Sequence, residues 1–246
     1  MEINQQLMSY LRGESFSNGI TAQFSFDPSD EVLKSRIEWL REFCQNKKVV
    51  HVGCVDHEIE MVRQKLKRGK WLHAHLMEVS TRVLGVDIDA LGIDKLRQEM
   101  QIDDLIVADL LVDSCEAIFE DQWDMMLLAE VLEHIGNPVY FLARLRERFS
   151  KVADEFIITV PNAFAEEIFK GARSGVEMIN SDHRFWFTPY TISKICIDAG
   201  LTPTHITLCR NGVIKRRSVI KNRRLRQHPL IRNNIIVRAK LSVETT

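Results

Sequence analysis

The sequence predicts an α/β fold in which a doubly wound, mostly parallel sheet ends in an antiparallel pair of C-terminal strands. Three observations predict it. Short apolar runs rich in Val, Ile and Leu recur between residues 49 and 161 with helix-like stretches between them, the alternation that builds parallel sheets covered on both faces. Two further runs, TPTHITLC (202–209) and NNIIVRAK (233–240), close the chain and read as an antiparallel pair. The length of 246 residues and the 45% hydrophobic content are enough to bury one substantial core.

Taken in order, Ser29 and Asp30 are good helix N-caps, and Leu33, Ile37, Leu40 and Cys44 follow at helical spacing. A core-packed helix over 29–45 is therefore expected, and residues 1–45 are read as a helical extension ahead of a main domain at 46–246. The strands expected next are VVHVG (49–53), RVLGVD (82–87), DLIVAD (104–109), DMMLLAE (124–130) and EFIITVP (155–161). Helices are expected between them at 57–80, 90–99, 113–119 and 137–149. After Pro161 the pattern breaks, so 162–188 is read as an insertion, and a helix resumes near 189–199. Residues 211–230 are too long for a tight hairpin loop and read as a partly helical basic segment.

Composition excludes several classes. The five cysteines, Cys44, Cys54, Cys115, Cys196 and Cys209, are scattered and never form a CxxC pair, so neither a disulfide framework nor a cysteine zinc site is expected. His73 and His75 in KWLHAHLME point to different helix faces at i, i+2 spacing, and no HExxH pattern occurs; no metal site is expected. No apolar run reaches the roughly 18 residues of a membrane span and no signal peptide opens the chain, which gives an expectation of a cytoplasmic, soluble protein. The net charge of -1 hides an asymmetry. No acid falls between Asp198 and Glu244, where eleven of the thirty-three Lys and Arg lie. Within it, KRRSVIKNRRLR (215–226) has seven bases in twelve residues, a pattern that points to an anionic partner: a phosphate-bearing acceptor, or the inner membrane surface, where the protein would sit peripherally.

The chemistry is expected at the strand ends, because ligands of doubly wound sheets bind beyond the carboxyl edge. VVHVGCVDHEIE (49–60) has the strand, turn, helix order of a Rossmann-like cofactor loop, yet only Gly53 survives of the glycines. A nicotinamide dinucleotide needs close backbone approach to its pyrophosphate, and Val55, Asp56 and His57 obstruct it. S-adenosylmethionine carries a positive sulfonium and no phosphate, so a loop with side chains and acids suits it better. Asp87 ends the second strand, where an acid can accept from both ribose hydroxyls; Asp109 ends the third, within reach of an adenine amino group, and Glu130 ends the fourth.

At this point WDMMLLAEVLEHIGNPVYFLARL, with VLGVDID before it and FIITVPNAF after it, resembles class I S-adenosylmethionine-dependent methyltransferases, in particular bacterial ones associated with cell-surface polysaccharide synthesis. DHRFWFTPYTISKICIDAGL (182–201) resembles the segment after their fifth strand. The resemblance covers about residues 46–205. It implies that His51, Gly53 and Cys54 face the methionine part, Asp87 with Ile88 the ribose, and Asp109 with Leu110 the adenine, with Glu130 at the cofactor as well. It also carries departures: an acid is usual where His51 stands, and glycines where Val55 and His57 stand.

The reaction expected is methyl transfer to a hydroxyl of a sugar or glycan, nucleotide- or lipid-linked, with 162–188 as an acceptor-side lid. A sugar hydroxyl is a poor nucleophile at neutral pH and needs a base within hydrogen-bond reach. His134 and His183 are the two candidates, with Glu130 or Glu133 orienting the base or binding the acceptor. Two other readings stand beside this one. An RNA or other methyltransferase would use the basic segment for phosphates, although the Asn/Asp-Pro-Pro ending of base-amine methylation is absent. A non-catalytic protein on the same fold would follow from the glycine-poor loop.

Overall fold

The computed structural model describes residues 1–14, 21–29, 32–55, 59–212, 214 and 217–241. Helices α1 (Gln5–Arg12) and α2 (Arg36–Cys44) precede β1 (Lys48–Val52), which is followed by α3 (Ile59–Lys67), α4 (Leu72–Val79), β2 (Arg82–Asp87), α5 (Ala90–Met100) and β3 (Leu105–Val107). The chain continues through α6 (Glu116–Phe119), β4 (Trp123–Ala129), α7 (Pro138–Phe149), β5 (Ala153–Pro161) and α8 (Glu166–Arg173). It ends with α9 (Pro189–Asp198), β6 (Thr202–Cys209), α10 (Val219–Gln227) and β7 (Asn234–Lys240).

The strands form one sheet in the order β3-β2-β1-β4-β5-β7-β6, parallel from β3 to β5. Strand β7 then runs antiparallel between β5 and β6, so the expected C-terminal pair is present. Order reverses between β1 and β4, and that switch point brings the ends of both strands to one cleft. Alternation along β1 sends Val50 and Val52 to a core shared with Leu142 of α7 and Ile192 of α9. Val49 goes to the opposite face with Leu40 of α2 and Leu76 of α4. Each such fully buried Leu or Ile contributes about 1.5–3 kcal/mol relative to exposure.

Several expected boundaries are corrected. The helix over 29–45 starts at Arg36, because Ser35 accepts from the Glu38 N–H while the Glu38 side chain returns to the Ser35 N–H, a complete capping box; Asp30 lies outside the described residues. The single helix over 57–80 is two, α3 and α4, separated where Gly69 adopts φ +60. The insertion at 162–188 contains α8. Residues 1–45 are part of the fold: Leu11, Leu40 and Cys44 are fully buried, and the Ile3 N–H donates to the Thr204 carbonyl at the sheet edge. No helix of the described residues is long and apolar enough to cross a membrane.

The crossover between β6 and β7 is pinned by Arg232, which is fully buried. Its guanidinium donates to the carbonyls of Leu225 at 3.0 Å and Leu208 at 2.8 Å. A buried arginine is tolerable only when its donors are used, and here it ties α10 to β6.

Candidate active site

The carboxyl ends of β1 to β4 open onto one cleft of about 1930 Å³, whose walls include Gly53, Asp87, Asp109, Glu130, His134 and His183. Gly53 turns the chain out of β1 with φ +73, a left-handed conformation that glycine adopts without strain. A Cβ there would stand 3.1 Å from Val131 Cγ2. Asp87 ties the two loops together. Its Oδ2 accepts from the Val55 N–H at 2.8 Å and its Oδ1 from the Asp89 N–H at 3.1 Å. A carboxylate has about four acceptor positions, so two remain for a pair of hydroxyls. Burial raises its pKa against these N–H contacts. Asp109 Oδ1 accepts from the Leu111 N–H at 2.9 Å, and the apolar side chain of Ile88, 76% exposed at the rim, is free to cover a ring.

Beneath the loop, His51 and His73 pack ring to ring with their Nδ1 atoms 3.0 Å apart. Burial holds both imidazoles neutral: His51 lies well below its ordinary value, with the Arg36 guanidinium adding to the effect, and His73 is lowered to about 4. His75 faces elsewhere, its Nε2 at 2.9 Å from the Gly69 carbonyl. The Cys54 thiol is buried beside Gly85, and burial raises its pKa. Asp56 and His57 lie outside the described residues.

On the opposite wall Glu130 adopts φ +59, which costs a non-glycine residue on the order of 1–3 kcal/mol and clusters at functional sites. Its Oε1 accepts from Thr159 Oγ1 at 3.1 Å and Asn234 Nδ2 at 2.9 Å, and Arg36 Nη1 stands 3.9 Å away. Glu133, on the 3-10 turn Leu132–His134, is fully buried, and neither carboxylate oxygen has a hydrogen-bond partner among the described residues. Burial, reinforced by the charge of Glu130, pushes its pKa up to about 8. His134 Nδ1 lies 3.2 Å from Asp182 Oδ2, and its ring meets that of His183 edge to face at 4.8 Å. The Arg184 N–H donates to the Glu133 carbonyl at 2.7 Å and its Nε to the His134 carbonyl at 3.1 Å, clasping the insertion onto the turn. Glu133, His134 and His183 each offer a ligand atom, all within 4.8 Å of one another.

No family model and no curated protein matches the sequence. Solved structures do. The small RNA methyltransferase HEN1 superposes with a TM-score of 0.54 at 15% identity, over 91% of this chain and 27% of that one. An S-adenosylmethionine-dependent methyltransferase from Clostridium acetobutylicum ATCC 824 gives 0.51 at 11% identity, over 87% of this chain and 94% of that one. A cyclopropane-fatty-acyl-phospholipid synthase-like protein from Lactobacillus casei ATCC 334 gives 0.50 at 15% identity, over 83% and 89%. The fold is that of S-adenosylmethionine-dependent methyltransferases. At these identities the likeness is one of architecture, and the chemistry has to come from the site.

Within this methyltransferase fold every strand-end residue singled out in the sequence lines the cleft or lies beneath it. Four residues at the site were not singled out. Thr159 meets Glu130 through the pairing of β4 with β5, Asn234 through that of β5 with β7 and Arg36 through the seating of α2, which no local pattern encodes. Asp182 stands next to His183 in DHRFWF, where adjacency alone is a weak signal. The gathering of Glu133, His134 and His183 is also unexpected, since these residues match no metal motif of known spacing.

Proposed function

We propose that the protein is an S-adenosylmethionine-dependent methyltransferase that methylates a sugar hydroxyl on a phosphate-bearing acceptor, with a divalent cation held by Glu133, His134 and His183. The observation that carries the cation is the orphaned carboxylate of Glu133. A buried carboxylate with no donor on either oxygen is costly, and two imidazoles within ligand distance offer the rest of a mixed nitrogen and oxygen site. The fit is chemical: the site lacks a counter-charge, and a cation supplies one.

Asp87 would hold the ribose hydroxyls, Ile88 and Leu110 would pack on the adenine, and Asp109 would take its amino group. When bound, the cofactor would supply an electrophilic methyl group, and the cation held by Glu133, His134 and His183 would supply a positive charge that lowers the pKa of an acceptor hydroxyl. Asp182 fixes the His134 ring, leaving Nε2 for the cation. A histidine that ligates with its lone pair has none left for a proton, so the cation reading and the base reading of His134 and His183 exclude each other. Alignment of the hydroxyl behind the methyl group supplies much of the remaining rate.

Polysaccharide precursors linked to nucleotides or lipids meet this description. An RNA with a free terminal ribose is the second reading, favoured by the basic residues of α10 and by the fold shared with the small RNA methyltransferase. Calorimetry with Mn²⁺ tests the cation: wild type should bind at one site, and Glu133→Gln should bind about 100-fold more weakly. Absence of binding, with methyl transfer that survives a chelator, would return the histidines to the role of base.

A further inference from the structure

The amino-acid end of S-adenosylmethionine is a zwitterion, yet the floor of the cleft beneath Gly53 is a neutral imidazole pair. Charge recognition there has to come from the walls. Arg36 is the first residue of α2, and its position is set three times over. The Ser35 capping box fixes the helix start, the Arg36 N–H donates to the Arg210 carbonyl at 2.8 Å, and Arg36 Nη1 donates to Thr159 Oγ1 at 3.3 Å. The side chain lines the cleft and is only 15% exposed. Its Nε–H is buried, without a hydrogen-bond partner among the described residues. An arginine so firmly placed on the cleft wall, with the positive end of a helix behind it, is suited to meet an anion.

We propose that Arg36 binds the methionine carboxylate of the cofactor, with Glu130 beside it placed for the ammonium group. This rests on the cofactor reading above and assigns part of that site to α2, outside the strand-loop elements of the sheet. Arg36 is unlike a surface cation because its partner Glu130 stands at 3.9 Å, too far for a direct hydrogen bond, and Glu130 Oε1 is already used by Thr159 and Asn234. The neutral His51 and His73 pair lets a carboxylate approach without repulsion from an acid below.

The test compares S-adenosylhomocysteine with 5′-methylthioadenosine, which share the adenosine and thioether and differ in the amino-acid end. Calorimetry on wild type and Arg36→Met should show S-adenosylhomocysteine affinity falling about 10- to 100-fold, the range for a hydrogen bond to a charged group. The affinity for 5′-methylthioadenosine should stay within about twofold, which also shows that the cleft is intact. Arg36→Lys should recover part of the loss, keeping the charge but not the fork. Equal loss for both ligands, or no loss for either, would overturn the assignment. If wild type binds neither ligand, the cofactor reading fails with it; if wild type binds both and Arg36→Met does not separate them, only the assignment of Arg36 fails.

Discussion

His51 illustrates what a single residue changes. Placed near the end of β1, its imidazole is met by His73 from α4 at 3.0 Å, so one Nδ1 donates and the other accepts, and burial keeps both rings neutral. The pair therefore ties stability to pH. Both folded pKa values lie below the ordinary 6.5, His73 at about 4, so below pH 6.5 the unfolded chain takes up protons that the folded chain refuses. Stability is fully present above pH 6.5 and falls as pH drops toward 4, by up to about 1.4 kcal/mol per pH unit for each histidine. Urea unfolding of wild type and of a His51→Val, His73→Leu double variant between pH 7.5 and 4.5 checks this. The wild type should lose stability more steeply, and parallel curves would show that the pair does not remain neutral. From sequence, the substitution at position 51 was visible as a departure, whereas its partner, 22 residues away, was met only as half of a rejected zinc pair.

Among the elements, α10 carries the charge asymmetry, and the structure divides it. Lys221 pairs with Glu167 at 3.1 Å and Arg224 with Glu166 at 2.6 Å, both on α8, and Arg238 pairs with Glu155 at 2.7 Å. Part of the basic excess thus meets acids of the same chain. Arg217, Arg223 and Arg226 remain exposed, beside Ile220 at 86% exposure; Lys215 and Arg216 lie outside the described residues. Replacing Arg223 and Arg226 with Gln should weaken retention of phosphate-bearing acceptors about tenfold at low salt and little at high salt. Parallel assays on a short RNA and on anionic vesicles separate the two sources of phosphate, and indifference in both would make α10 a strap for α8 alone. The elements were legible where local signals were strong. Strands were apparent to within about two residues because Val, Ile and Leu runs end at turn residues. The break at Gly69 was hidden by continued helical periodicity, and α2 was begun too early because Ser29 and Asp30 outcompeted the Ser35 and Glu38 box as a capping signal. Helix α8 is short and follows a strand closely, so its AEEIFKGA pattern read as loop.

For the whole molecule, topology does what no single motif could. Reversal of strand order between β1 and β4 opens the cleft, and the antiparallel return of β7 brings Asn234 to Glu130 across 104 positions of sequence. The acids at the ends of β2, β3 and β4 were readable because a doubly wound sheet puts strand ends on one edge. The grouping of Glu133 and His134 with His183 was not, since it depends on how the insertion folds back over the 3-10 turn. The account stands on that grouping and on the cofactor lying across the strand ends. Anomalous diffraction from crystals grown with Mn²⁺ and S-adenosylhomocysteine tests both together. The predicted result is a manganese peak ligated by Glu133, His134 and His183, with the ribose on Asp87 and the thioether directed at the metal. A peak elsewhere, no peak at saturating Mn²⁺, or the nucleoside bound away from Asp87 would contradict it.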